Sequence, residues 1–315
     1  MKKALKITGK ILLGLLILIA VFLIIMIIYN QVMLKKEDKL LENYPGQLVE
    51  VNGHNMNVYI EGEGEHTLVF LAPAGSTSPV LTFKPLYSKL SGEYKTVVVE
   101  KFGYGMSDVV DTDRDYKVMV NECREALEKS GVEAPYILCP YSKSGLDALI
   151  WAQNYPNEIE GIFGIDMAFP NAMKDLGSGG GEWLISAAKN SGIIRLFISD
   201  NDFPETYSTE EKQFAKALFV RKYANKVMLN EIKTAPDAAE TILSDSKPEM
   251  PLHLLLTSGK GTGREQEWQG YAHSYIDDMK NASVTQIDCA HDDICGGIPD
   301  QVCDEIRDFT DELDK

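Results

Sequence analysis

Tyr136-Ile137-Leu138-Cys139-Pro140-Tyr141-Ser142-Lys143-Ser144-Gly145-Leu146 is the stretch on which the reading of this chain turns. Tyr136–Cys139 predicts a short buried strand, and residues 146–155 predict a helix that stops before Pro156. Between them lies only a tight turn. A serine at that junction sits on a sharp, strained bend with its hydroxyl presented at the strand end. Such turns usually read Gly-x-Ser-x-Gly, because the side chains two before and two after the serine nearly collide. Here Ser144 is small and Gly145 follows. Pro140 departs from the pattern, but it is compact and tolerates an extended strand end. If Ser144 were the nucleophile, Leu146 would hold its second following position and would be too bulky. The plainer alternative is an ordinary strand–turn–helix crossover with surface serines.

Outward from this turn the pattern repeats. Thr67–Leu71, Thr96–Val99, Ile159–Ile165, Leu252–Thr257 and Ser283–Ile287 are short apolar runs of the kind buried on both faces of a parallel sheet. Helical spacing marks 113–130, 264–280 and 301–313. Gln47–Val51 and Met56–Ile60 flank Asn52-Gly53-His54-Asn55, a hairpin composition. Strands alternating with helices predict an α/β fold, a mostly parallel sheet with helices on both faces. Residues 169–250 break the alternation. They contain no clear strand, begin with the Gly177-Ser178-Gly179-Gly180-Gly181 loop and hold helix-like pieces such as 208–232, so they read as a helical cap inserted between two strands.

The N-terminus has a different chemistry. Ile11–Ile28 carries no charge and no proline. At about 1.5 Å per residue it spans about 27 Å, close to the hydrocarbon thickness of a bilayer. It predicts a transmembrane signal anchor over 11–29, with 1–10 a cytoplasmic flank and 30–46 a tether to a domain over 47–315. Lys2, Lys3, Lys6 and Lys10 precede the run; Lys35, Lys36 and Lys39 follow it among acids, so the bias favours an N-terminus inside and a domain outside the cell. A cleaved signal peptide would want a shorter run and a small-x-small site, which Tyr29-Asn30-Gln31-Val32 does not offer.

The net charge of −16 argues against a nucleic-acid partner, since such a surface repels phosphates. Five cysteines, an odd number, leave at least one thiol free outside the cytoplasm. Cys139 reads as a small core residue, while Cys289, Cys295 and Cys303 are close enough in sequence to allow one bridge. No CxxC pair supports a metal site, and no cofactor is expected. Gly103-x-Gly105 lacks the third glycine of a dinucleotide loop. Thr257-Ser258-Gly259-Lys260-Gly261-Thr262 fails as a phosphate loop, because Gly261 stands where Ser or Thr should bind the metal.

At this point residues 47–314 resemble the α/β-hydrolase superfamily. The resemblance rests on the strand–Ser142–helix turn, on the order of strands around it, and on Glu100-Lys101-Phe102-Gly103-Tyr104-Gly105-Met106-Ser107-Asp108, which is similar to the acidic residue and Gly-x-Gly-x-Ser turn that follow the family's fourth strand. It implies Ser142 as nucleophile. It also implies an oxyanion hole from the backbone N–H groups of Ala74 and Lys143, although Ala72-Pro73 stands where the family often has His-Gly. The base must be an imidazole. His54, His66, His253 and His273 lie in hairpin, strand or helix contexts, whereas His291 directly follows the last strand, where the family places its catalytic histidine. The acid is expected in the turn after Leu252–Thr257, which offers none before Glu265. A minority of the family, including haloalkane dehalogenases, takes it one strand earlier, where Asp166 stands. Asp166 is therefore the candidate acid and Glu265 the alternative. Dehalogenation itself needs a carboxylate nucleophile, which Ser142 is not.

The expected activity is that of a serine hydrolase cleaving an ester or amide of a small or amphipathic molecule through an acyl-enzyme. An acyltransferase using the same triad, or a non-catalytic binding module on the same fold, are the competing readings.

Overall fold

The computed structural model describes residues 2–112, 114–174 and 182–315. In chain order the elements are α1 (Lys2–Leu41), β1 (Gln47–Val51), β2 (His54–Glu61), β3 (Thr67–Leu71), α2 (Pro79–Leu90), β4 (Lys95–Glu100), α3 (Tyr116–Lys129), β5 (Tyr136–Pro140) and α4 (Gly145–Asn154). β6 (Ile159–Ile165), α5 (Pro170–Met173), α6 (Glu182–Ser191), α7 (Thr209–Lys222) and α8 (Lys226–Ser244) follow. The chain closes with β7 (Leu252–Leu256), α9 (Trp268–Ile276), β8 (Ala282–Gln286), α10 (Ile294–Gly297) and α11 (Pro299–Leu313). These elements divide into two compact units, residues 45–178 with 222–315, and residues 1–44 with 179–221. The expected Gly177–Gly181 loop lies outside the described residues.

The larger unit is built on one eight-stranded sheet among the described residues, in the order β1-β2-β4-β3-β5-β6-β7-β8. β2 runs antiparallel to β1 and β4, and the neighbours from β4 to β8 are parallel. The hairpin turn is Asn52-Gly53, both at positive φ, so β2 begins at His54, two residues before the predicted start. Alternate strand residues feed two apolar layers. Val69, Leu71, Val97, Val99, Leu138 and Leu254 join one core with residues of α3, α4 and α8. On the other side Phe70 stacks at 5.1 Å against Phe83 of α2, and Phe163 lies 6.0 Å from Phe309 of α11. α2 carries no strong periodic signal and escaped the sequence reading, although seven of its residues are buried. Gly105 shows why the Gly-x-Gly-x-Ser turn has its composition. It sits at positive φ, and a Cβ there would collide with the Glu100 carboxylate, which accepts from Asn57 Nδ2 at 3.0 Å and Met106 N at 2.8 Å.

The smaller unit is assembled on α1. This helix runs unbroken to Leu41, so the segment expected as a tether over 30–46 is mostly helix, with a turn at Glu42-Asn43 before Pro45-Gly46. From Met26 onward it has a buried face: Met26, Asn30, Glu37 and Leu41 recur at helical spacing, with Tyr44 beyond. Residues of α6, α7 and the intervening turns cover that face. Arg195 donates to both Glu37 carboxylate oxygens, and the Tyr44 ring meets Phe214 edge-on at 5.6 Å. Between Ile7 and Phe22 the same helix leaves its large apolar side chains exposed, and it is long and apolar enough to cross a membrane.

The insertion between β6 and β7 therefore divides. Its middle helices, α6 and α7, belong with α1, and α5 and α8 belong with the sheet. The single helix-like piece expected over 208–232 is two helices, because Asn225 breaks the run and caps α8 by accepting from Val227 N and Met228 N.

Candidate active site

β5 ends at Pro140 and α4 begins at Gly145, so the backbone must reverse within four residues. Ser142 takes the strain with φ of +56°. The turn is stitched from both sides. The Ser144 hydroxyl accepts from Tyr141 N at 2.9 Å and donates to Leu71 O at 2.7 Å, which ties the bend to the end of β3. Ala168 N donates to Ser142 O at 2.8 Å. Gly145 lies so close to the Ala168 carbonyl that a Cβ there would collide with it. The sequence pattern asked only that position 144 be small; the structure shows that its hydroxyl and the bare backbone of Gly145 both hold the bend.

The other candidate residues arrive from two further strand ends. Asp166, directly after β6, is fully buried and also at positive φ, +42°. His291 lies in the short turn after β8. Its Nδ1 stands 2.6 Å from Asp166 Oδ2, and its Nε2 stands 2.9 Å from Ser142 Oγ. A carboxylate only accepts, so Nδ1 carries the proton and Nε2 is left to accept from the serine hydroxyl. A proton on Ser142 Oγ thus faces a free lone pair, and the charge that appears on the ring on accepting it faces Asp166. Ser142 is half-buried, within reach of solvent.

Asp166 is held by more than histidine. Thr257 donates to it twice, from N at 2.9 Å and from Oγ1 at 2.6 Å, and Trp268 Nε1 donates at 2.9 Å. Thr257 directly follows β7, and Trp268 opens α9 beyond the turn in which the family's usual acid is expected. The imidazole is packed as well: the Tyr141 ring lies 5.2 Å away, and the Trp268 ring meets it edge-on at 5.2 Å. Tyr141 also donates its phenol to His291 O at 2.7 Å. None of Thr257, Trp268 or Tyr141 carries a local sequence signal, because their hydrogen-bond partners at the site lie 91 to 150 residues away.

Glu265, the alternative acid, is exposed and accepts from Gly261 N at 3.4 Å. Ala74 is exposed in the loop after β3, and Lys143 is the residue after the nucleophile. The remaining histidines stand elsewhere: His66 beside Glu160 and Asp314, His253 beside Ser283 and Glu305, His54 near Asp108, and His273 exposed on α9. All five thiols are free, so the bridge allowed among Cys289, Cys295 and Cys303 is not formed. Among the described residues no group of three or more His, Cys, Asp or Glu gathers to hold a metal.

Beneath the bend lies a buried charge cluster that the sequence did not announce. Lys143 Nζ donates to Glu231 Oε1 and to the Tyr116 hydroxyl, both at 2.9 Å. Lys101 Nζ reaches Asp147 at 3.1 Å and Glu231 at 2.9 Å, and Tyr104 donates to Glu231 at 2.9 Å. Burial opposes charge on Lys101, yet Asp147 and Glu231 hold its pKa well above the ordinary value. Burial likewise works against Glu231, and Lys101 and Lys143 overcome it to hold the carboxylate well below its usual range. For Lys143 burial prevails and its pKa is lowered. One signal existed: Glu231 sits four residues from both Val227 and Ala235, on the buried face of α8.

The parallel sheet, the strained Ser142 bend and the crossover order define the chain as an α/β-hydrolase fold. No family model matches the chain. The uncharacterized protein YbdG of Bacillus subtilis strain 168 is 35% identical over 272 residues, 80% of each chain, and this chain belongs to the same family as YbdG. A 2-(acetamidomethylene)succinate hydrolase of Mesorhizobium japonicum is 25% identical over 125 residues, 40% of this chain and 44% of that one. Among solved structures, an epoxide hydrolase of Bacillus megaterium with its product bound superposes with a TM-score of 0.62 at 15% identity, covering 84% of this chain and all of the other. That likeness speaks for the fold alone.

Proposed function

We propose that the chain is a membrane-anchored serine hydrolase that cleaves a carboxylic ester, or an amide, of a small or amphipathic molecule. The supporting observation is the continuous line from Ser142 Oγ through His291 to Asp166, at 2.9 and 2.6 Å. In the reaction Ser142 Oγ attacks the carbonyl carbon as His291 Nε2 takes its proton. The oxyanion is held by the N–H groups of Ala74 and Lys143. His291 then returns the proton to the leaving oxygen or nitrogen, which departs and leaves an acyl-serine. Water, deprotonated by the same imidazole, releases the acid and restores the serine. Asp166 keeps the ring in the productive tautomer throughout.

In this reading residues 11–29 cross the membrane, with 1–10 in the cytoplasm and the domain over 47–315 outside. The exposed apolar stretch of α1 supports the span, and the lysines that precede it support the orientation. A fluorophosphonate probe tests the chemistry. The folded wild type should label, and Ser142→Ala should abolish labelling; a folded wild type that does not label sinks the proposal.

A further inference from the structure

Outside α1, the most exposed large apolar side chains among the described residues are Phe197 at 78%, Leu196 at 57% and Leu184 at 55%. All three belong to the first part of the insertion, on α6 and on the single 3-10 turn Ile193–Phe197 that follows it. Apolar side chains left bare in one short segment call for a partner, and the attachment of this segment to α1 says which one. Asn30 donates to the carbonyls of Lys189 and Asn190 at 3.4 Å and accepts from Arg195 Nε at 2.7 Å. Gly192 backs directly onto Asn30, where a Cβ would come within 2.6 Å of the Asn30 Cβ and 3.1 Å of Met26 O.

These contacts set a depth. Asn30 is two residues past Ile28, the last residue of the apolar run, or about 3 Å further along the helix axis. The headgroup layer on each side of a bilayer is about 5–7 Å deep. A segment fastened to α1 at Met26 and Asn30 therefore stands at headgroup level whenever the run spans the membrane. Beyond Phe197-Ile198 the chain turns polar at once, with Ser199-Asp200-Asn201-Asp202, as a tip that dips into the interface and returns to water would require. Within the unit Arg195 pairs with Glu37 and Lys216 with Asp200, Lys189 donates to the Arg221 carbonyl, and the Asp202 carboxylate accepts from Ser199 N and Oγ.

We propose that residues 184–197 rest on the bilayer surface and that Leu184, Leu196 and Phe197 enter the boundary between headgroups and acyl chains. The partner is the lipid bilayer that α1 crosses, so the inference rests on the membrane-spanning reading above. It makes the first part of the insertion a lipid-immersed element of the enzyme.

The test is nitroxide accessibility in the full chain, reconstituted in vesicles of phosphatidylcholine and phosphatidylglycerol. Leu18→Cys, Phe197→Cys and Glu240→Cys are each labelled in a Cys289→Ser background, because the other four native thiols are buried. Leu18 lies mid-run and 68% exposed, and Glu240 is an exposed residue of α8. The ratio of oxygen to nickel-chelate collision should be highest at 18, lowest at 240, and at 197 severalfold above 240. A ratio at 197 equal to that at 240, with 18 in lipid, overturns the immersed element and leaves the span intact. A ratio at 18 equal to that at 240 overturns the span and the inference with it.

Discussion

Asp166→Asn is the substitution whose consequence follows most directly from the geometry. The two carboxylate oxygens of Asp166 face different donors. Oδ1 accepts from two N–H groups, Thr257 N and Trp268 Nε1, each at 2.9 Å. Oδ2 accepts from the Thr257 hydroxyl and from His291 Nδ1, each at 2.6 Å. An asparagine amide placed with its NH2 at the Oδ1 position would set donor against two donors. It must therefore keep its oxygen at Oδ1 and present NH2 at Oδ2. There the Thr257 hydroxyl can rotate and accept, but His291 Nδ1 can accept only by giving up its proton. The proton moves to Nε2, which then donates to Ser142 and can no longer receive its hydrogen. The hydrogen-bonded contacts of the site persist while the proposed base is switched off. A carboxylate-to-amide change of this kind in a serine triad lowers kcat about 10⁴-fold, equal to about 5.4 kcal/mol of transition-state stabilisation. The assay is hydrolysis of a nitrophenyl ester by wild type, Asp166→Asn and Glu265→Gln, with each variant's melting transition recorded to show that it folds. Asp166→Asn within tenfold of wild type would refute the tautomer argument. A collapse in Glu265→Gln alone would move the acid to the turn after β7.

Three further outcomes are expected. Glu231→Gln leaves Lys101 and Lys143 buried beside a single carboxylate, Asp147, and should destabilise the domain by about 3–5 kcal/mol in urea unfolding; a loss under about 1 kcal/mol would mean that the cluster relaxes around the change. Gly145→Ala drives a methyl group into the Ala168 carbonyl and should cost about 1–3 kcal/mol, with turnover falling further than stability alone explains, because the shift displaces the Ser142 bend. His66 gives a pH signature: burial works against its charge, but Glu160 at 3.1 Å and Asp314 at 3.4 Å raise its pKa above the ordinary value. A raised folded-state pKa contributes stability that is complete below about pH 6.5 and fades as pH rises through the folded value. The gap in urea midpoint between wild type and His66→Gln should accordingly be wider at pH 6 than at pH 8.5, and a gap that does not change with pH would discard this account.

The parts of the candidate site that are legible in the sequence are those set by strand order. Ser142, Asp166 and His291 each stand at the C-terminal end of a strand or in the turn just after it, and parallel strands bring such ends to one edge of a sheet. Apolar runs locate the strands, and the resemblance to the hydrolase superfamily says which strand ends to inspect for the three candidates. The clamp on Asp166 was not legible for the complementary reason. Thr257 and Trp268 reach it only through the pairing of β6 with β7 and the approach of α9, and neither residue type is unusual where it stands. By composition the stretch after the apolar run suggests a polar tether, since Gln31, Lys35, Lys36, Glu37 and Asp38 favour solvent. Its spacing says otherwise: Met26, Asn30, Glu37 and Leu41 fall on one helical face, and that face is buried even where it carries charge. A buried Glu37 is invisible to a hydropathy reading until its partner Arg195, more than 150 residues away, is in place.

The same blindness hid the cluster under the Ser142 bend, and its energetics bear on how the bend is held. Two lysines and two carboxylates removed from water carry a desolvation cost that their attraction offsets only when the geometry is good, and apolar residues of similar size often do as well for stability. Stability alone is therefore a poor reason for the cluster. Its reach is more informative. Glu231 lies on α8, Lys101 follows β4, Asp147 lies on α4, and Lys143 is the residue directly after Ser142. The Nζ of Lys143 has one carboxylate and one phenol within bonding distance and is nearly sealed from solvent, so its side chain has little freedom. A residue fixed at both its backbone and its side-chain end cannot rotate its peptide plane freely. In the proposed reaction that plane carries one of the two N–H groups facing the oxyanion, where a misalignment of a fraction of an ångström weakens a charge-assisted hydrogen bond. The sheet alone presents Ser142 at a strand end. The insertion, through the single carboxylate of Glu231 on its last helix, holds the next residue in place.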